Sequence, residues 1–181
     1  MRIKPDCYPC FMHQVVNTSR LLGIPEDGLR TLLAETARTL AAVSPETPPP
    51  VVGGLVHAMV RRAAGSPDPF LDAKRMDNRT MLERYPEMRE AVRRSADPLR
   101  TALAFVAGGN GMDHGIAGAV DAAAGEFRCD PAVYAAFKRR LERAESVLIV
   151  GDNAGEIVCD RLLVETIGRP VRYAVRGAPV I

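Results

Sequence analysis

The chain has 181 residues, enough for one ordinary domain or two small ones with a buried core. Its formal net charge of +2 is far below that of a dedicated nucleic-acid-binding protein, which excludes DNA or RNA binding as the main function. No stretch approaches the apolar length of a membrane span, and the N-terminus lacks the apolar core of a signal peptide. We therefore expect a cytoplasmic protein that binds neither nucleic acid nor membranes.

Helical periodicity extends from about Cys7 to about Arg143. The prolines within residues 46–50 predict a surface connector, because proline fits neither a helix interior nor a central strand. Asp130 followed by a proline predicts a helix N-cap. The predicted apolar helical segments are, in chain order, Phe11 to Leu22, Leu29 to Leu40, Val52 to Ala63, Phe70 to Arg94 with an interruption at Tyr85 and Pro86, Leu99 to Val106, and Val133 to Leu141.

Four cysteines in a cytoplasmic chain indicate thiols and not disulfides. Cys7 and Cys10 form one Cys-x-x-Cys pair, and no second pair or suitably spaced histidines accompany it to predict a zinc site. Two interpretations of this pair stay open. The frequent burial of free cysteine favours two small core side chains on the first helix, and the alternative is a metal or redox role.

A glycine-dense segment occupies residues 108–115. Its glycines let the backbone approach a ligand closely, and Asn110, Asp113 and His114 between them offer polar contacts. Composition supports two interpretations equally. The segment is either a loop that faces a ligand, or a flexible loop before another helix whose N-terminus Asp113 caps.

The periodicity then changes from helix to strand. Val147–Val150 predicts a buried strand, a helix follows from about Ala154 to Ile167, and a second strand covers Val171 to Val175. This βαβ unit should place its strands parallel and adjacent. The fold class is α/β, or α+β by content, with a helical domain over 1–143 and the first part of a Rossmann-like parallel sheet over 144–181. Because two strands leave open edges, we expect a fragment of a longer protein or a sheet that another element completes, including self-association through the edge.

The turn after the first strand carries the sequence Gly-Asp-Asn-Ala-Gly-Glu at 151–156. Ligands of α/β sheets bind at the carboxyl ends of strands, beside helix N-termini. Asp152 and Asn153 offer hard oxygen ligands for Mg²⁺ or Mn²⁺, which Co²⁺ and Ni²⁺ also accept. Glu156 would take a proton or orient water, and the amide of Gly155 would hold phosphate oxygens. The turn thus predicts metal-dependent phosphate chemistry, with Asp152 and Glu156 as its catalytic residues.

The turn also permits other interpretations. A helix cap explains Asp152 or Asn153 but not a cluster of three polar residues between and beside two glycines. The sequence does not match Gly-x-Gly-x-x-Gly, which argues against NAD binding. Two alternatives stay open. One is a methyltransferase-like enzyme, whose first strand also ends in a glycine-containing acidic turn, and the other is a non-catalytic binding fragment.

The motifs together resemble the metal-dependent damage-control phosphatases, the ARMT-like family, and in particular its stand-alone prokaryotic branch. The most specific are the 151–156 motif and Arg-Gly-Ala-Pro-Val-Ile at 176–181, in this order. The resemblance covers the whole chain. Its further segments are Cys7-Tyr8-Pro9-Cys10 with Gln14, Asp68-Pro69-Phe70 with Lys74 and Asn78, Tyr85-Pro86, and Gly-Asn-Gly-Met-Asp at 109–113.

This resemblance implies a helical domain packed on a Rossmann-like domain, and hydrolysis of small phosphometabolites such as sugar phosphates or damaged cofactor intermediates. It implies a divalent metal held by Asp152 and Asn153, with a third ligand and a phosphate-binding lysine beyond residue 181. We therefore expect little activity from the 181-residue form. Gly111 and His114 depart from the family pattern. The expected substrate-side residues are Asn110, Asp113, Gly155 and Arg176.

Overall fold

A computed structural model describes residues 2–109 and 128–177. It confirms the predicted α/β class, in which helices come first and a parallel βαβ unit follows. None of the described helices is long and apolar enough to cross a membrane. The elements are α1 (Cys7–Leu21), α2 (Glu26–Ala42), α3 (Pro49–Ala64), α4 (Leu71–Arg94), α5 (Pro98–Gly109), α6 (Pro131–Arg143), β1 (Val147–Val150), α7 (Glu156–Ile167) and β2 (Val171–Ala174).

The chain divides into two compact units. Among the described residues, the first unit extends to Asp72, near the start of α4, and the rest of α4 belongs to the second unit. The three helices of the first unit bury their apolar faces against one another. Helix α3 ends at Gly65, whose φ of +64° favours glycine. The buried side chains of this core include Phe11, Val15, Leu29, Leu32, Leu40, Val52, Val56 and Met59.

Helix α3 begins earlier than the sequence predicted. Pro49 and Pro50 form its first turn, so the predicted connector over 46–50 is wrong at its last two residues. The first N–H groups of a helix have no intrahelical partner, and proline, which lacks an N–H, is therefore well accepted there.

The second unit comprises residues 73–109 and 128–177 of the described chain. The predicted domain boundary at Arg143 falls inside this unit. Its core brings α4, α5 and α7 together, with Ile149 of β1 packed against them. The buried members are Met81, Tyr85, Met88, Val92, Ala102, Phe105, Val158, Cys159, Leu162 and Leu163.

Helix α4 runs without a break through Pro86, so the predicted interruption is wrong. An internal proline costs a helix about 3 kcal/mol. Tyr85 and Met88 lie buried on either side of Pro86, and Met81 and Val92 extend the same face by one turn in each direction. Burial of this continuous face offsets the cost of the proline.

The two strands form a parallel pair in which Val147 lies opposite Val171 and Val150 lies opposite Ala174. Helix α7 is the crossover between them, so both strands end at the same edge. The prediction of a buried first strand is wrong for Leu148 and Val150. Its side chains alternate, and Leu148 and Val150 are 64% and 73% exposed, because the helices of the described residues cover one face of this pair and not the other.

Asp130 caps α6 as predicted, since its Oδ1 accepts hydrogen bonds from the N–H groups of Ala132 at 2.7 Å and Val133 at 3.3 Å. The predicted apolar face of α6 is not its buried face. Val133 and Phe137 are exposed, whereas Tyr134 is buried.

The Tyr134 hydroxyl donates to Asp97 Oδ1 at 2.8 Å and so joins α6 to the start of α5. Burial pushes the pKa of Asp97 upward. Hydrogen bonds from Tyr134 and the N–H of Arg100, together with the charge of Lys138, outweigh burial and hold this pKa below its ordinary value. Burial and the bond to Asp97 raise the pKa of Tyr134 to about 12.

We predict that Tyr134→Phe lowers the free energy of unfolding by about 1 kcal/mol at pH 7, the usual contribution of such a hydrogen bond. A carboxyl whose folded pKa is lowered stabilises the fold above its unfolded pKa and loses this contribution as the pH falls. The difference in the free energy of unfolding between wild type and Tyr134→Phe should therefore shrink below about pH 4. Urea unfolding at several pH values measures it, with Tyr8→Phe on α1 as the control. A difference that stays constant down to pH 2 would contradict this account.

Candidate active site

The polar turn lies between the end of β1 and the start of α7, within the second unit. Gly155 is the N-cap of α7 and has a φ of +77°, a conformation that favours glycine. Because β1 and β2 are parallel and in register, residues 151–153 lie beside residues 175–177.

Asp152 and Arg176 form an ion pair across this edge, between Oδ1 and Nη2. The two side chains remain 53% and 39% exposed. An ion pair so open to solvent contributes little to stability. Its main consequence is that it brings two of the predicted site residues together, one anionic and one cationic, at the carboxyl end of the sheet.

Asn153 and Glu156 also meet in this turn. The Nδ2 of Asn153 donates to Glu156 Oε2 at 3.2 Å. This bond uses the amide nitrogen, and the carbonyl oxygen of Asn153, the atom suited to a cation, takes no part in it. The carboxylate of Glu156 is thereby oriented at the first turn of α7, where the helix dipole favours a negative charge.

The N–H of Gly155 donates to Oδ1 of Asn78 at 2.7 Å. A phosphate oxygen that used this amide, as the sequence suggested, would have to replace that bond. The role of Gly155 in substrate binding therefore stays a prediction, as do those of Asn110 and Asp113, which lie outside the described residues.

The end of α5 closely approaches the start of α7. A Cβ on Gly109 would stand 3.2 Å from Cys159 Sγ and 3.4 Å from Glu156 Cα, so a side chain here would require its neighbours on α7 to shift slightly. Burial raises the pKa of the Cys159 thiol to about 11, which makes it a packing residue and not a nucleophile at neutral pH.

A contact between β2 and α7, next to the turn, was not predicted from the sequence. The hydroxyl of Tyr173 on β2 donates to the buried carboxylate of Asp160 on α7, and the Tyr173 ring passes directly over Gly151. Burial raises the pKa of Asp160, and the Tyr173 hydrogen bond partly opposes this. The sequence contained one indication of this contact, because Asp160 is an acidic residue within the apolar face of α7.

The Cys-x-x-Cys pair lies in the first unit and so belongs to the other body of the chain. Cys7 is half-buried and Cys10 is exposed, so the favoured expectation of two buried thiols is wrong for Cys10. Gln14 Nε2 donates to Cys10 Sγ at 3.5 Å, one helical turn along α1.

Within residues 2–109 and 128–177, no three His, Cys, Asp or Glu side chains are grouped to hold a metal ion. Asp152 and Asn153 nevertheless offer a carboxylate and an amide oxygen side by side at an accessible strand end. Mg²⁺ and similar ions are often held by one or two protein groups, with water and substrate oxygens as the remaining ligands. The donor chemistry present here fits a hard divalent cation.

Three comparisons with known proteins bear on this site. A family model described as the damage-control phosphatase ARMT1-like domain matches residues 3–181. A protein of Archaeoglobus fulgidus named damage-control phosphatase is 28% identical over 192 residues, which cover all of this chain and 67% of that protein. An uncharacterized protein of Methanocaldococcus jannaschii is 25% identical over 195 residues, which cover all of this chain and 64% of that protein.

The fold is also similar to that of a solved protein. The crystal structure of a DUF89 family protein from Pyrococcus horikoshii has a TM-score of 0.74 at 20% identity, over 99% of this chain and 66% of that one. At this identity the likeness shows the fold alone. The chain spans about two thirds of the length of these relatives.

We predict that Gly151→Ala destabilises the protein by about 1–3 kcal/mol, the usual cost of overpacking. The new Cβ would stand 2.6 Å from Cζ of Tyr173, so the ring must move and leave the buried Asp160 without its hydrogen bond. Thermal unfolding measures the effect. Gly54→Ala is the control, because a Cβ there meets no atom within 4 Å. Equal stability of Gly151→Ala and wild type would contradict the described position of Tyr173.

Proposed function

Because the chain belongs to the damage-control phosphatase ARMT1-like domain family, as its motifs indicated, we propose that it takes part in metal-dependent hydrolysis of small phosphorylated metabolites. The observation that carries this proposal is the arrangement of Asp152, Asn153, Glu156 and Arg176 at one strand end, where α7 begins. Sugar phosphates and damaged phosphorylated metabolites are the substrate class that this family resemblance favours.

Asp152 and Asn153 would hold the divalent ion through their side-chain oxygens. Mn²⁺, Co²⁺, Ni²⁺ and Mg²⁺ all accept such donors, and manganese is the convenient probe. When bound, the ion supplies polarisation of a phosphoryl oxygen and a lowered pKa of coordinated water.

Arg176 supplies the positive charge for the substrate. A guanidinium presents several N–H donors in a plane and so matches two oxygens of a phosphate. In the structure it is held beside the predicted metal ligand by the carboxylate of Asp152. A phosphate that approaches the site meets Arg176 there and competes with Asp152 for its N–H groups.

Glu156 is the residue that we assign to proton transfer. Its carboxylate lies in the same turn as the two proposed metal ligands and accepts a hydrogen bond from one of them, Asn153. A carboxylate in this position orients a water molecule toward a phosphorus atom and accepts its proton. The positive end of α7 meanwhile favours the anionic substrate.

Family membership also favours the phosphatase over the alternatives that the turn alone permitted. A methyltransferase-like enzyme and a non-catalytic binding fragment predict no stabilisation by divalent metal through Asp152. Metal binding tests the two proposed ligands without a known substrate and is therefore a better first measurement than activity.

We predict that Mn²⁺ raises the midpoint of thermal unfolding, and that Asp152→Ala weakens Mn²⁺ binding by at least about tenfold, since even residues around metal ligands have effects of this size. Calorimetric titration measures the affinity. Hydrolysis of p-nitrophenyl phosphate and a sugar-phosphate panel with Mn²⁺, Co²⁺ or Ni²⁺ measures turnover, and it should fall in the same variant.

The matched control is Asp6→Ala, which removes one carboxylate from an exposed residue before α1 that makes no side-chain cap hydrogen bond. This variant should bind Mn²⁺ like wild type. Equal Mn²⁺ affinity of Asp152→Ala and wild type would contradict the assignment of the metal site. Stabilisation by S-adenosylmethionine in place of metal would support the methyltransferase alternative.

A further inference from the structure

Asn78 on α4 makes a hydrogen bond to the site turn from far away in the sequence. Its half-buried side chain accepts the N–H of Gly155 on Oδ1 at 2.7 Å, across 77 residues. Both residues belong to the second unit. The sequence resemblance names Asn78 only as part of a motif and assigns it no role.

The bonded amide occupies a sensitive place in the turn. Gly155 stands two residues after Asn153 and directly before Glu156, and its positive φ is a conformation that favours glycine. N–H groups at a helix N-terminus have no intrahelical acceptor, and Gly155 has no side chain with which to cap α7. Asn78 supplies an acceptor from a different helix and so restrains the orientation of this peptide group.

The bond also lies beside open space. Asn78 shares an open face of α4 with Arg75, Arg79, Leu82 and Glu83. The restraint of the turn therefore comes from a stretch of α4 that solvent reaches.

We propose that Asn78 is a positioning residue of the phosphatase site. By holding the Gly155 amide, it fixes the turn in the conformation that presents the Asp152 and Asn153 oxygens to a metal ion. It also withdraws this amide from phosphate binding, so that Arg176 becomes the main phosphate-binding group of the described site. The proposal rests on the proposed function, because it concerns the same metal site.

Two variants and two measurements test this role. Asn78→Ala removes the acceptor, whereas Asn78→Asp keeps an oxygen at the same place. Hydrogen exchange of the peptide that contains Gly155 follows the turn without any metal, and calorimetric titration with Mn²⁺ follows the site. Tyr134→Phe is the matched control, because it loses a hydrogen bond of similar length in the same unit, at the opposite end of α5 from Gly109.

We predict that Asn78→Ala speeds exchange of the Gly155 amide about fivefold or more, the factor that corresponds to about 1 kcal/mol. It should also weaken Mn²⁺ binding by about tenfold. Asn78→Asp should keep both properties near wild type, and so should Tyr134→Phe. The proposal is overturned if Asn78→Ala exchanges like wild type, or if Tyr134→Phe changes exchange and affinity as much as Asn78→Ala does.

Different results overturn the proposed function and the role of Asn78. If wild-type protein binds no Mn²⁺, the proposed function fails, whatever the exchange data show. If wild type binds Mn²⁺ and Asn78→Ala binds it equally tightly, the proposed function stands and only the role of Asn78 is overturned.

Discussion

The parallel pairing of β1 with β2 determines where every polar residue of the candidate site lies. Parallel strands end at the same edge, and the register that sets Val150 against Ala174 brings Asp152 next to Arg176. An antiparallel pair would have placed these two residues at opposite ends of the sheet. The crossover helix α7 then directs its N-terminus, with Glu156, to this same edge.

Three close approaches surround the turn within the second unit. Gly109 lets α5 approach the start of α7, Gly151 admits the ring of Tyr173, and Gly155 gives its amide to Asn78. Each contact depends on a glycine or on a backbone group, so a larger residue at these places disturbs the turn itself. The surroundings of the turn thus restrain it in addition to its own hydrogen bonds.

The sequence predicted the features that depend on local pattern. The four apolar residues of β1, the Asp130 cap and the carboxyl-end position of Asp152 follow from spacing and short-range chemistry, and the family was indicated by two motifs. What the sequence could not predict depends on packing between distant segments. Pro86 continues a helix because both sides of it are buried, and Tyr134 replaces Val133 as the buried residue because Asp97 is placed to accept its hydroxyl.

The same limit applies to the site. Asn78 and Gly155 are 77 residues apart, and no periodicity links an asparagine on one helix to the amide at the start of another. Tyr173 and Asp160 likewise meet only because β2 returns beside β1. A pair of metal ligands was predicted from the sequence, while the residues that restrain this pair became visible only in three dimensions.

The central claim is that the carboxyl end of β1 is a divalent-metal site. The most direct measurement is a titration of ¹⁵N-labelled protein with Mn²⁺, which broadens the amide resonances nearest to the bound ion. The account predicts that residues 151–156 and 175–177 broaden first. Broadening that begins elsewhere, for example at Cys7 and Cys10 on α1, with the turn unaffected, would contradict it.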